Sequence, residues 1–187
     1  MEETLQLSLN KGEEILWRGH AEPFQTLDKT HKPDFVRKAV IGAAIVIGFS
    51  IFLLSIGKVE NKVLFMIVAA LLLCSIPAVN VISDASKLRK VEYVATTERL
   101  IVLRDAARSA WYSQIKTAAF KEDLDGHVSL VCGTDAVKAK AHKRREICIV
   151  GAGVSESGAE CERFCFYAPA DRASLEKILH ERMPSLF

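Results

Sequence analysis

Six side chains that can carry a positive charge lie within the eight-residue stretch KAKAHKRR. We call this stretch the basic arm; its cationic members are Lys138, Lys140, His142, Lys143, Arg144 and Arg145. Near an anionic leaflet each lysine or arginine contributes about 1 kcal/mol of attraction, and acidic protein surfaces attract the same groups. The alternation predicts a strand with the even-numbered basic residues on one face. Two interpretations stay open: a site for anionic lipid or an acidic partner, and a solvated arm without a ligand.

Nucleic-acid binding is disfavoured by two features of the sequence. The basic arm contains no aromatic residue on which a base could stack. The formal net charge of the whole chain is only +2, whereas dedicated nucleic-acid binders are strongly basic. We therefore expect no nucleic-acid partner.

Two cysteines, Cys161 and Cys165, invite comparison with a metal site. The sequence RFCFY predicts a strand here, on which positions four apart are separated by about 13 Å. Thiolates that share one zinc ion lie about 4 Å apart. This spacing therefore predicts no metal ion.

The glycine-rich stretch GAGVSESG resembles two catalytic motifs without completing either. A dinucleotide fingerprint needs glycine where Glu156 stands, and a nucleophile elbow needs glycine at Ser157. Two nearby carboxylates, Asp123 and Asp125, precede Gly126 and are typical of a turn. We expect no catalytic residue and no cofactor, and we predict that the protein is not an enzyme.

Half of the 187 residues are apolar, and the excess over an ordinary soluble protein lies between residues 39 and 82. The first uncharged run, 39–57, would be about 28 Å long as a helix, close to the roughly 30 Å hydrocarbon core of a bilayer. A second run, 63–82, is similar, and only the five residues KVENK separate the two. This pattern predicts a transmembrane hairpin. Neither span contains a charged residue, which disfavours transport.

Charge on the flanks predicts the orientation of the hairpin. Basic residues before the first span and after the second outnumber those in the loop, which places both termini in the cytoplasm under the positive-inside rule. Small residues recur at four-residue spacing on each predicted helix and permit close packing: Ala44 and Gly48 on the first; Ala70, Cys74 and Ala78 on the second. These faces pack either on each other or on an oligomer partner.

The sequence after the hairpin changes to short alternating runs that are typical of antiparallel sheet. Seven strands are predicted, at 92–96, 99–104, 109–112, 115–121, 126–132, 146–150 and 162–167. One amphipathic helix with Asp171 as its N-cap follows and is expected to cover the open end of the sheet structure. We predict an α+β protein with a cytoplasmic N-terminal segment (1–38), a membrane hairpin (39–83) and a cytoplasmic domain (84–187).

A family resemblance rests on three motifs. YVATTERLI, residues 93–101, resembles the Tyr-x-Leu-Thr-Asp-x-Arg-Leu-Ile hairpin of bacterial pleckstrin-homology-like domain proteins, with Ala95 and Thr97 in place of leucine and aspartate. WYSQIKTAAF, residues 111–120, and GEEILWRG, residues 12–19, are similar to other segments of that family. Many members carry two transmembrane helices before the domain, which has a seven-stranded β sandwich or barrel with a C-terminal helix.

The resemblance implies a multi-pass protein of the bacterial inner membrane that acts as a binding or scaffolding module for other membrane proteins, or for itself as a homo-oligomer. A narrower alternative is an assembly factor, because photosynthetic-complex assembly proteins of purple bacteria have a similar opening to GEEILWRG. A second alternative is a sensor of anionic lipid that uses the basic arm.

Overall fold

The computed structural model describes residues 9–55, 79–104, 106–150 and 160–187. The chain divides into two compact units. One unit combines Met1–Phe24 with Asp84–Phe187, and the other is Gln25–Ser83, which is inserted between them in sequence. The boundary at residue 84 coincides with the predicted one, whereas residues 1–24, predicted as part of a separate N-terminal segment, group with the folded domain.

The inserted unit contains helix α1, Lys32–Ser55, which begins seven residues before the predicted span of 39–57. Asp34 in its first turn binds Arg37 and Lys38, each at 2.7 Å, and a carboxylate there also favours the positive end of the helix dipole. The stretch Lys32–Phe52 is long and apolar enough to cross a membrane, and none of its most apolar part is buried. Of the described residues, only those of α1 form such a helix.

The predicted second span lies mostly outside the described residues, which resume at residue 79 in a helical segment 79–88. Ala70, Cys74 and Ala78 therefore lie outside them too. On α1, Ala44 and Gly48 are both exposed, and a methyl group added at Gly48 would meet nothing within 4 Å. Whether these small residues pack on the second predicted helix stays a prediction.

The described residues of the domain form two antiparallel sheets and, in its C-terminal half, three helices, which confirms the predicted α+β class with a C-terminal helix. The first sheet has the order β1-β2-β3-β4 and the second the order β5-β6-β7. The strands are β1 Ile15–His20, β2 Glu92–Thr96, β3 Arg99–Leu103, β4 Ala107–Trp111, β5 Ala118–Glu122, β6 Val128–Cys132 and β7 Phe164–Phe166. The helices are α2 Thr134–Lys138, α3 Arg144–Val150 and α4 Arg172–Arg182.

Both sheets and α4 contribute to one apolar core. Trp17 of β1 and Tyr93 of β2 stack on Phe166 of β7, with ring centroids 6.1 and 4.7 Å apart. Leu175 and Leu179, one helical turn apart on α4, are fully buried in the same core. The amphipathic pattern of the C-terminal segment is explained by this contact.

The predicted strand at 146–150 is wrong, because these residues belong to helix α3. The buried members of α3 are Arg144, Arg145, Cys148 and Ile149, which repeat at four-residue spacing. A helix brings positions four apart onto one face, whereas a strand would bury alternate positions. The β-branched residues Ile147, Ile149 and Val150 favour a strand locally. The helix instead places both arginines on its buried face, where they bind Lys121 and Tyr167.

Strand β1 was absent from the predicted strands. It pairs with β2, from which the inserted unit separates it in the sequence, and so adds the fourth strand to the first sheet. His20 pairs with Glu92, and Gly19 with Tyr93, so segments from both sides of the inserted unit are joined in one sheet. Beyond β1, the backbone N–H of Ala170 donates to the carbonyl oxygen of His20 at 3.0 Å. The domain is therefore discontinuous in sequence.

Candidate functional site

The basic arm does not form a strand, which corrects the expected alternation of its side chains. It runs from the end of α2 through a short turn of 3₁₀ helix, Ala141–Lys143, into α3. Lys138, Lys140 and Lys143 are exposed and His142 is half-buried, but Arg144 and Arg145 are only 6% and 4% exposed. The six candidates thus separate into an outer group of lysines and an inner pair of arginines.

Arg144 binds backbone rather than solvent. Its Nη1 donates to the carbonyl oxygens of Lys121 and Glu122, at 2.9 and 3.0 Å, at the end of β5. Buried carbonyl groups need such donors. Arg144 therefore joins α3 to the second sheet.

Arg145 lies between two aromatic rings. Its guanidinium carbon is 4.4 Å from the ring centroid of Phe24 and 5.1 Å from that of Tyr167, and its Nη2 donates to the Tyr167 hydroxyl at 3.1 Å. That hydroxyl in turn donates to Asp123 at 3.2 Å. Because Phe24 is the last residue of the domain before the inserted unit, Arg145 fixes this end of the chain to the core.

Asp123 caps the turn that the sequence predicted. Its Oδ1 accepts hydrogen bonds from the backbone N–H groups of Asp125 and His127, at 2.9 and 3.0 Å. Gly126 occupies this turn with a φ of +84°, which glycine adopts without strain. The side chain of Asp123 is therefore used for structure.

A cleft of about 430 Å³, lined by the outer lysine Lys143, lies between α2, α3 and the start of β7. Apolar side chains on its surface are those of Ala139, Ile147 and Val150. Its charged residues form two pairs of opposite sign: Lys143 with Glu146 at 2.6 Å, and Arg163 with Asp135 at 3.1 Å. Val150 is 66% exposed and adds apolar surface to the cleft.

The hairpin motif that carries the family resemblance forms a buried polar cluster. Arg99 donates through Nε and Nη2 to the two carboxylate oxygens of Glu13, both at 2.9 Å, and Thr96 donates to Glu13 at 2.6 Å. Arg99 also lies 4.7 Å from the centroid of Trp111. Thr96 and Arg99 therefore stabilise the hairpin, as the sequence indicated by default.

The role of Glu13 was not predicted from the sequence. Burial acts to raise the pKa of its carboxyl group, but hydrogen bonds from Arg99, Asn10 and Thr96 and the charge of Arg99 outweigh burial, so the pKa is lowered. The only signal was an acidic residue within GEEILWRG, the segment that resembles the family's opening.

The four described cysteines are free and buried: Cys132, Cys148, Cys161 and Cys165. Burial raises the pKa of the Cys148 and Cys161 thiols to about 11. Protonated thiols are poor nucleophiles and poor metal ligands. These cysteines therefore behave as small apolar residues of the core.

No family model, no curated protein and no solved structure matches this chain.

Proposed function

We propose that this protein is a membrane-anchored binding module that presents a pleckstrin-homology-like domain, on the cytoplasmic face, to other membrane proteins. The observation that carries the proposal is the cleft beside the basic arm, where apolar side chains lie among paired charges of both signs. Such a surface matches a protein partner, since protein interfaces combine an apolar centre with a polar rim. A purely anionic ligand would use positive charge alone.

The pairing of β1 with β2 supports an even number of membrane crossings. These strands come from the two sides of the inserted unit and belong to one folded domain, which lies on one side of any membrane. If α1 crosses the bilayer, the chain has to cross it an even number of times before Asp84. The predicted second span at 63–82 supplies the return crossing in this proposal.

The number of strands in the two sheets supports the proposal of a pleckstrin-homology-like domain. Antiparallel sheets of four and three strands with a C-terminal helix are the architecture that the resemblance implies. The motif residues Thr96 and Arg99 occupy the β2–β3 hairpin, as they do in the family pattern.

The proposed partner surface can be tested by affinity purification of the full-length chain from native membranes in mild detergent. Val150→Glu places a charge at the exposed apolar residue of the cleft, and Leu124→Glu is the matched control, because Leu124 is 71% exposed in the β5–β6 turn. We expect membrane proteins to co-purify with the wild type and with Leu124→Glu, and to be lost with Val150→Glu. Retention by Val150→Glu would exclude the cleft, and a wild type without partners would contradict the scaffold proposal.

Anionic-lipid binding is a second candidate, supported by the three exposed lysines of the basic arm. Replacement of Lys138, Lys140 and Lys143 by glutamine leaves the buried arginines in place and therefore separates binding from folding. Liposome flotation cannot detect this contact, because the anchor inserts into vesicles with or without anionic lipid. The contact can be detected by the rate at which a thiol reagent labels Val150→Cys in reconstituted vesicles. If the lysines bind anionic lipid, labelling should be slower in anionic vesicles than in neutral ones, and this difference should disappear in the triple variant.

A further inference from the structure

Among the strands that the structure describes, β5 lies at one end of the second sheet, and its outer edge pairs with none of them. The sheet order is β5-β6-β7, so β5 has a neighbour on one side only. Backbone bonds from Gly133 to Thr117, at 2.7 Å, and from Asp123 to His127, at 3.0 Å, show that odd-numbered residues bond toward β6. Even-numbered residues of β5 consequently direct their N–H and C=O groups away from the sheet.

The open part of this edge is short and well defined. The carbonyl oxygen of Glu122 already accepts a hydrogen bond from Arg144. Among the described residues, nothing bonds to the backbone N–H or C=O of Ala118 and Phe120. Four backbone groups are therefore available for an added strand, and small side chains at Ala118 and Ala119 allow its close approach.

The sequence of this edge is complementary to itself in one antiparallel register. A two-fold axis at Ala119 places Ala118 opposite Phe120 of a second copy, twice, and uses all four open groups of each chain. The same register places Lys116 opposite Glu122. Lys116 is exposed and forms a surface pair with Glu160 at 3.1 Å, a type of contact that contributes little and exchanges readily.

We propose that two copies of this protein associate through their β5 edges, with Ala119 on the two-fold axis, so that two three-stranded sheets become one of six strands. The large and small side chains of Phe120 and Ala118 alternate across the junction, and opposite charges of Lys116 and Glu122 close both ends. This inference rests on the proposed function as a membrane-anchored scaffold. Insertion in the membrane orients all copies alike on one face, which raises their effective concentration.

Cysteine cross-linking of the purified full-length chain in detergent tests the register. Directly opposed residues in a pair that lacks ladder hydrogen bonds have Cα atoms about 4.5 Å apart, which suits a disulfide. We expect Ala119→Cys to form a disulfide dimer under mild oxidation. Lys121→Cys is the matched control on the same strand, since its two copies would lie about 13 Å apart in this register. Ser109→Cys tests β4, one of the two edge strands of the other sheet, and wild type provides the background of native cysteines.

A charge-reversal series tests the same interface without relying on cysteine geometry alone. In the Ala119→Cys background, we expect Lys116→Glu and Glu122→Lys each to lower the initial cross-linking rate about three- to tenfold, because like charges then face each other twice. The double variant restores opposite signs and should recover the rate. Absence of an Ala119→Cys dimer, equal reaction at Lys121→Cys or Ser109→Cys, or no recovery in the double variant would overturn the proposal. Because no other membrane protein is present, these results are independent of whether the scaffold has a partner.

Discussion

Replacement of Glu13 by glutamine should strongly destabilise the domain, because the Glu13 carboxylate is the counter-ion of a buried arginine. The Glu13 side chain is fully buried, and it accepts two hydrogen bonds from Arg99, one from Thr96 and one from the backbone of Asn10. Glu13→Gln leaves the Arg99 guanidinium, 11% exposed, without its counter-ion. Breaking a buried ion pair on one side costs about 3–5 kcal/mol, which lowers the melting temperature by about 10–20 °C.

The assay is thermal unfolding of the full-length chain in detergent, followed by tryptophan fluorescence. Both tryptophans, Trp17 and Trp111, belong to the domain, so their emission reports its unfolding. Glu14→Gln is the matched control, because Glu14 is adjacent but exposed and should cost under about 0.5 kcal/mol. Equal melting temperatures for the two variants would refute the assignment of Glu13.

The pH dependence provides a second check on Glu13. Its pKa is lower in the folded state than its ordinary value of 4.5, so its contribution to stability is complete above that value and is lost as the pH falls through the folded pKa. The difference in melting temperature between wild type and Glu13→Gln should therefore narrow below pH 4.5. A difference that widens in acid would contradict this reasoning.

Three further predictions concern Arg145, the two glycines Gly126 and Gly133, and the Cys148 thiol. Arg145→Ala should cost about 2–4 kcal/mol in urea unfolding, because it removes a buried cation–π contact and a hydrogen bond, whereas Lys140→Ala should be close to neutral. Gly133→Ala should lower the melting temperature more than Gly126→Ala, since its Cβ would lie 2.4 Å from backbone and that of Gly126 would have space; the reverse order would be inconsistent with this packing. The Cys148 thiol should resist maleimide at pH 7 and react only after denaturation, and rapid labelling of the native protein would contradict its burial.

Short runs of strand-forming residues bounded by turn residues predicted most strands of this domain, including β2 and β3, which are buried at every position. The hairpin of β2 and β3 was located almost to the residue, as was the C-terminal helix, whose cap Asp171 accepts from Ser174. Strand β1 has only one buried residue, Trp17, and its pairing depends on residues beyond the inserted unit. Local sequence contains no signal for such a pairing.

The sequence of the basic arm did not indicate which of its positive side chains are buried. Lysines and arginines are equivalent in a count of positive residues, yet the three lysines are exposed and the two arginines are buried. Arginine can be buried because its planar group bonds several carbonyls at once and stacks on aromatic rings. Those carbonyls and rings come from distant strands, so neighbouring residues could not indicate the distinction.

The central claim is that the domain and both ends of the inserted unit lie on one side of a membrane that α1 crosses. Single cysteines in a cysteine-free background, labelled in intact cells with a membrane-impermeant maleimide, test it most directly. Glu14→Cys and Lys177→Cys report the two parts of the domain, and Lys62→Cys reports the loop between the predicted spans. We expect Lys62→Cys to be labelled in intact cells, and the other two only after permeabilisation. Labelling of Glu14→Cys and Lys177→Cys on opposite sides, or protection of Lys62→Cys in intact cells, would contradict the account.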